Sequence, residues 1–189
     1  MKLYLATSNP GKVREFEGAG LEIEMFPEMK SMAVAPETGD TFEANAIEKA
    51  LYYGAHCDGW LIAEDSGLEV DALGGAPGVH SARWAGNDVA NNEKLVREMA
   101  DKAVRSARYV CVIALVAKNQ VLATFRGAVE GEIVQEPRGE GGFGYDPYFF
   151  YPPLEQTFAQ ISKDRKGGVS HRGAAITKLI SWMRENASM

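Results

Sequence analysis

Ala63-Glu64-Asp65-Ser66-Gly67-Leu68 sets two adjacent carboxylates directly after the apolar run Trp60-Leu61-Ile62-Ala63. Successive residues of a strand point to opposite faces, so Glu64 and Asp65 cannot share one task. One can face a ligand while the other meets the supporting shell. Carboxylates delivered this way, by a buried strand to its end, suit a hard divalent cation or a general base. A solvated turn or a helix cap has the same local composition, so the pair gains meaning from its company.

Thr7-Ser8-Asn9-Pro10-Gly11-Lys12 lies between a strand-like and a helix-like segment. Backbone N–H groups at a helix start, with the Lys12 ammonium, favour phosphate. The segment is not a Walker A loop: Ala6 stands where that motif needs its first glycine, and Val13 where it needs Ser or Thr. Phe143-Gly144-Tyr145-Asp146-Pro147 follows a glycine-dense approach. Its aromatics can stack on a flat base and Asp146 can accept from ring N–H groups, although a β-turn packed by core aromatics looks alike. Lys166 and Ser170-His171-Arg172-Gly173 form a donor cluster at a helix start, suited to a phosphate or a ring carbonyl, or else a solvated basic turn. His56 and His80 read as structural or surface residues.

Alternating elements position these groups. Strands are predicted at Lys2–Ala6 and Glu22–Phe26, with a short helix at Gly11–Glu17 between them. A polar loop from Pro27 to Gly39 leads to a long helix over Thr41–His56, its face made by Ile47, Ala50, Leu51 and Gly54. Asp40 and Glu43 have the spacing of a reciprocal capping pair, with Asp40 as N-cap. Short strands at Leu61–Ala63 and Leu68–Ala72 flank the acidic turn, and a helix covers Asn91–Ala103. Tyr109–Ala117 and Val121–Val129, joined by Lys118-Asn119-Gln120, read as a hairpin. Ser170 caps a last helix running to about Glu185 with Ile176, Leu179, Ile180 and Met183 as its stripe. A hairpin together with crossover helices implies an α/β protein with a mixed sheet.

The chain of 189 residues, 46% hydrophobic and 24% charged, suits one domain or one two-lobed unit over residues 1–189. A net charge of −6 argues against a protein that coats nucleic acid, while leaving room for a local basic pocket. Cys57 and Cys111 lie in no metal-ligand spacing and read as buried free thiols in a reducing compartment. No apolar run approaches membrane-spanning length, and the expected location is the cytoplasm.

Taken in order, SNPGK, FEANA, AEDSGLEVDALGGAPGVHSARWAG, GFGYDP and SHRG closely resemble the inosine/xanthosine triphosphate pyrophosphatase family, from Thr7 to Leu179. The resemblance implies an elongated two-lobed α/β unit, a central mixed sheet flanked by helices, a cleft between lobes, and a homodimer. It implies hydrolysis of ITP, dITP or XTP to the monophosphate and pyrophosphate, cleansing the nucleotide pool with Mg²⁺ as cofactor. The residues Thr7, Ser8, Asn9, Pro10, Gly11 and Lys12 would hold the triphosphate, and Lys49 would point toward phosphate. Asp65 would be the catalytic proton acceptor and metal ligand, and Ser66 would touch the substrate. Phe143, Gly144, Tyr145 and Asp146 would line the base pocket, and Lys166, His171 and Arg172 would contact the base or sugar end. Where many members of the family carry a metal-binding glutamate, this chain has Ala44, with Glu43 one residue earlier. One residue is about a hundred degrees around a helix, so Glu43 need not reach the same metal, and Glu64 takes more of that load. His80 stands where a tyrosine is common. A Maf-like pyrophosphatase of pyrimidine or modified nucleotides is the nearest rival, and SHRG and FGYDP argue against it. A nucleotide-binding module without turnover is the rival of another class. The paired Glu64-Asp65 opposes that reading, since carboxylates facing a triphosphate repel it unless a metal intervenes.

Overall fold

The structure is a computed structural model that describes residues 2–186. Its strands form one mixed seven-stranded sheet in the order β2-β1-β3-β4-β5-β6-β7. They are β1 (Leu3–Leu5), β2 (Ile23–Met25), β3 (Trp60–Val70), β4 (Ser106–Ala117), β5 (Gln120–Ile133), β6 (Phe149–Tyr151) and β7 (Gln156–Thr157). The helices are α1 (Pro10–Gly18), α2 (Phe42–Gly54), α3 (Asp88–Met99), α4 (Lys163–Val169) and α5 (His171–Glu185). No helix among the described residues is long and apolar enough to cross a membrane.

The chain divides into two compact units. The first holds residues up to Asp65, Cys111–Gly127 and the chain from Arg172 onward. Here β1 pairs in parallel with β2 and with β3, Leu3 lying opposite both Ile23 and Trp60. Leu5, Phe16, Ile62, Ile113, Leu115, Ile176 and Leu179 share one core, so α1 and α5 cover the sheet face made by the even residues of β3 and the odd residues of β4. The helix α2 lies on the opposite face. A Cβ at Gly54 would come 2.6 Å from Val116 Cγ2, so only glycine lets the helix approach β4 this closely.

The second unit holds Ser66–Val110 and Ala128–His171. Leu68, Val70, Tyr109, Val129, Ile133, Phe149 and Phe158 form its core, with Leu95 and Met99 from α3. The strand β6 pairs antiparallel with β5 and with β7.

Several predicted boundaries move, each for a local reason. Residues 60–70 form one strand, not two around an acidic turn, because Glu64, Asp65 and Gly67 are themselves buried β residues. The N-cap of α2 is Thr41, whose hydroxyl accepts from Ala44 N at 3.1 Å, so Asp40 does not cap it. Glu43 is not half of a capping box either: its carboxylate accepts from the Thr124 hydroxyl at 2.6 Å. The helix α3 starts at Asp88, capped by Asn87, three residues before the predicted start. The hairpin between β4 and β5 turns on Lys118 and Asn119, with φ of 49° and 59°, the two-residue pattern of a type I′ turn.

Candidate active site

Position along β3 separates the two acids. Glu64 shares its parity with Trp60 and Ile62 and so faces the α1 and α5 side, whereas Asp65 faces α2. Glu64 is 2% exposed, and its Oε1 lies 2.5 Å from the Lys12 ammonium. Its Oε2 receives the Cys111 thiol at 3.3 Å and lies 3.7 Å from Arg172 Nη2. On the other face Asp65 Oδ2 accepts from Asn45 Nδ2 at 3.1 Å, and Asn45 Oδ1 accepts from Gly39 N at 2.8 Å. Lys49, also on α2, donates to the Glu64 carbonyl at 3.2 Å and forms an ion pair with Glu37.

These surroundings drive the neighbours' acidities apart. Burial opposes ionisation of Glu64, but the cations of Lys12, Arg172 and Lys49 outweigh it and hold its carboxyl well below the ordinary 4.5. Burial dominates at Asp65, and Lys49, Asn45 and Lys12 only partly offset it, so its pKa rises above the ordinary 3.8. Glu64 is thus a permanent anion and Asp65 the better base, a division typical of paired catalytic carboxylates. Burial lowers the Lys49 pKa, but Glu37 raises it further and keeps the ammonium charged.

The Glu64 network makes a pH prediction. A carboxylate held below its ordinary pKa stabilises the fold fully above that pH and loses the contribution as pH falls through the folded value. The stability lost in Glu64→Gln at neutral pH should therefore shrink as the pH drops below about 5, in urea melts run in parallel with the unaltered protein. A gap that stays constant with pH would contradict the network.

At the phosphate-loop segment, Asn9 caps α1, with Oδ1 accepting from Gly11 N at 2.8 Å and Lys12 N at 3.3 Å. Thr7 Oγ1 accepts from Asn9 N at 3.2 Å, and Pro10 fills the first helical position. The N–H groups expected to meet phosphate are therefore held by Asn9 here, and the cation of the segment is turned to Glu64. Glu64 itself, expected to share a metal, has its oxygens turned to cations and a thiol, a poor setting for a further cation. Among the described residues no three His, Cys, Asp or Glu side chains gather as a metal site.

In the second unit Asp146 is 2% exposed, and its Oδ2 accepts from Lys166 Nζ at 2.6 Å and from Phe143 N at 2.9 Å. Gly142, at φ 75°, has no room for a side chain, since a Cβ would lie 2.0 Å from that same oxygen. The Lys166 ammonium lies 5.2 Å from the centre of the Phe143 ring and 5.5 Å from that of Phe158. Gly144 is fixed through Asp88 and Asn92, at 3.0 and 2.9 Å, and the Tyr145 hydroxyl donates to Ser81 O at 2.7 Å. Tyr145 is a buried core residue with its pKa raised by burial and by Asp88. His171 stacks on Tyr109 with centroids 4.8 Å apart and planes at 13°. Ser66 follows Asp65 on β3, half-buried.

Phe143, Asp146, Lys166 and His171 thus belong to one unit. Arg172, expected beside His171 at the base end, is fully buried in the first unit, where Glu15 Oε2 lies 2.5 Å from Nη1 and Glu64 is its second carboxylate. Sequence reasoning passed over Glu15, Glu37, Asn45 and Cys111. Asn45 lies inside the FEANA segment and Glu37 just ahead of α2, so both had a positional signal; Glu15 and Cys111 had none.

Comparison with known proteins bears on this arrangement. A dITP/XTP pyrophosphatase of an Exiguobacterium species is 47% identical over 186 residues, with 95% of each chain covered. A dITP/XTP pyrophosphatase of Desulforamulus reducens is 46% identical over 189 residues, covering 95% of this chain and 94% of its own. The solved Ham1 protein of Staphylococcus aureus superposes with a TM-score of 0.89 at 40% identity, covering 98% of this chain and 100% of that one. A HAM1 protein from Coxiella burnetii gives 0.89 at 38%, covering 98% and 99%. With the model of the Ham1 family also matching residues 3–182, the chain belongs to that family.

Proposed function

We propose that this protein hydrolyses deaminated purine nucleoside triphosphates, ITP, dITP or XTP, to the monophosphate and pyrophosphate. The observation that carries the reading is the adjacent pair on β3, with Glu64 held as an anion among cations and Asp65 left the stronger base. Kinship supports it, since the relatives in hand are dITP/XTP pyrophosphatases.

Thr7 to Lys12 and Lys49 take the phosphates, the two ammonium groups stabilising charge on the leaving pyrophosphate. A water oxygen bonds to the α-phosphorus, the bond to the bridging oxygen breaks, and Asp65 accepts the proton lost by the water. Ser66 contacts the substrate. Phe143 stacks on the base, and Gly144, Lys166 and His171 complete its surroundings. Tyr145 and Asp146 shape that pocket from beneath, Asp146 through its hold on Lys166 and the Phe143 N–H.

The donor set suits Mg²⁺, which uses one or two carboxylates together with substrate phosphates and keeps several waters. Asp65 would hold it, with the substrate phosphates and waters as the other ligands. Bound there, the ion would supply charge neutralisation between the phosphates. The family resemblance also supports a homodimer in the cytoplasm, with no nucleic-acid or membrane partner; sedimentation tests the oligomer.

The deciding experiment is pyrophosphate release from ITP and from ATP, with and without Mg²⁺. Hypoxanthine and xanthine present a carbonyl where adenine presents an amino group, so donors such as Lys166 and His171 would meet an acceptor in one and a second donor in the other. Sites built on hydrogen bonds reject the wrong partner by about ten-thousandfold, and a preference for ITP of that order is expected. Equal kcat/KM for the two would overturn the base-pocket assignment. Release of orthophosphate instead of pyrophosphate would overturn the reaction.

A further inference from the structure

The terminal carboxylate of a glutamate turns easily, because torsion about its last bond is broad and two-fold. Rotamer preference alone therefore does not set the plane of the Glu64 carboxylate. The strand β4 supplies a contact that bears on it. Cys111 is fully buried, shares the face of Glu64, and brings Sγ to 3.3 Å from Oε2, leaving Oε1 for the Lys12 ammonium at 2.5 Å. Arg172 Nη2 is farther, at 3.7 Å from the same Oε2. A thiol is a weak, single donor, so it marks one oxygen without recruiting further partners.

We propose that Cys111 is a positioning residue, whose S–H fixes the rotation of the Glu64 carboxylate and, through it, the place of the Lys12 ammonium on the phosphate-binding segment. The inference rests on the assignment of that segment to the triphosphate. A cysteine that merely fills space in the core would influence neither the carboxylate nor the lysine.

The test uses the full chain carrying Cys57→Ser, so that Cys111 is the sole thiol. In the infrared, the S–H stretch should sit at the lowered frequency of a thiol bonded to a charged acceptor, and Glu64→Gln should move it toward the free-thiol position. Inorganic tripolyphosphate, followed by calorimetry, reports on Lys12 without base or turnover. Cys111→Ala should weaken its binding about threefold, as expected for loss of a weak hydrogen bond, and Cys111→Ser should recover most of the loss. In a Lys12→Ala background, Cys111→Ala should cost nothing further, because the two act in series. A band unmoved by Glu64→Gln, or a full Cys111→Ala loss in the Lys12→Ala background, overturns the proposal. So does an unaltered protein that fails to bind tripolyphosphate. If the cycle behaves as expected but ITP yields no pyrophosphate, the positioning role stands and the proposed function falls.

Discussion

Asp65→Asn is expected to leave a folded protein that releases pyrophosphate from ITP at least about a hundredfold more slowly. The exchange is nearly isosteric, and asparagine retains an oxygen to accept from Asn45 Nδ2, now at 3.1 Å from the aspartate. What it removes is the proposed proton acceptor and the charge proposed to hold Mg²⁺. The same variant should also melt at a higher temperature at pH 7. Asp65 has a folded pKa above its ordinary value, so its ionised form is disfavoured in the folded state and costs stability above that pH. The stability advantage of Asp65→Asn should therefore fade as the pH is lowered below the ordinary 3.8, where the aspartate becomes protonated in both states. Near-normal turnover would sink the catalytic assignment. A variant less stable than the parent at neutral pH would instead show that the ionised carboxylate is well compensated.

Arg172→Ala should be the most destabilising single change at this site. Arg172 is 1% exposed, and its guanidinium engages Glu15 and Glu64, which would remain buried or half-buried without it. Breaking a buried pair from one side costs about 3–5 kcal/mol. For a chain of this size that is a fall in Tm of about 6–20 °C. Burial opposes the charge on Arg172, and the two carboxylates overcome that and raise its pKa, as expected of a cation locked in place. Urea melts at pH 7 decide the matter. A loss below about 1 kcal/mol, typical of an exposed pair, would show that the buried network does not hold the first unit together. In that case the expectation of a base-facing arginine regains its ground.

Much of the site is local enough to read in the chain. Asn9-Pro10-Gly11 is a helix start written in three residues, and Lys118-Asn119 announces the hairpin. Opposite duties for Glu64 and Asp65 followed from strand alternation alone, and the structure gives them opposite faces. The continuity of β3 was not legible, because a glycine and two acids in succession resemble a turn until neighbouring strands bury them. Glu43 was misread for a related reason: the spacing of a capping box was present, but the Thr124 hydroxyl, 81 residues away, was the better partner. Arg172 shows the same limit most sharply. Its pairing with Glu15 spans 157 residues, and no pattern in the sequence connects them.

That separation has a consequence for synthesis on the ribosome. Neither unit is a continuous stretch of chain; the first needs the residues up to Asp65, then Cys111–Gly127, then the segment beginning at Arg172. As the chain emerges, Glu64 appears with Lys12 and Lys49 already available, but Arg172 arrives more than a hundred residues later. Until then the carboxylate has too few cations to be buried at low cost, and β1 and β3 lack the α5 side chains that complete their core. The first-made segment therefore has to wait for the last-made helix, and a chaperone would meet a nascent chain whose N-terminal strands are the slowest to be closed away from water.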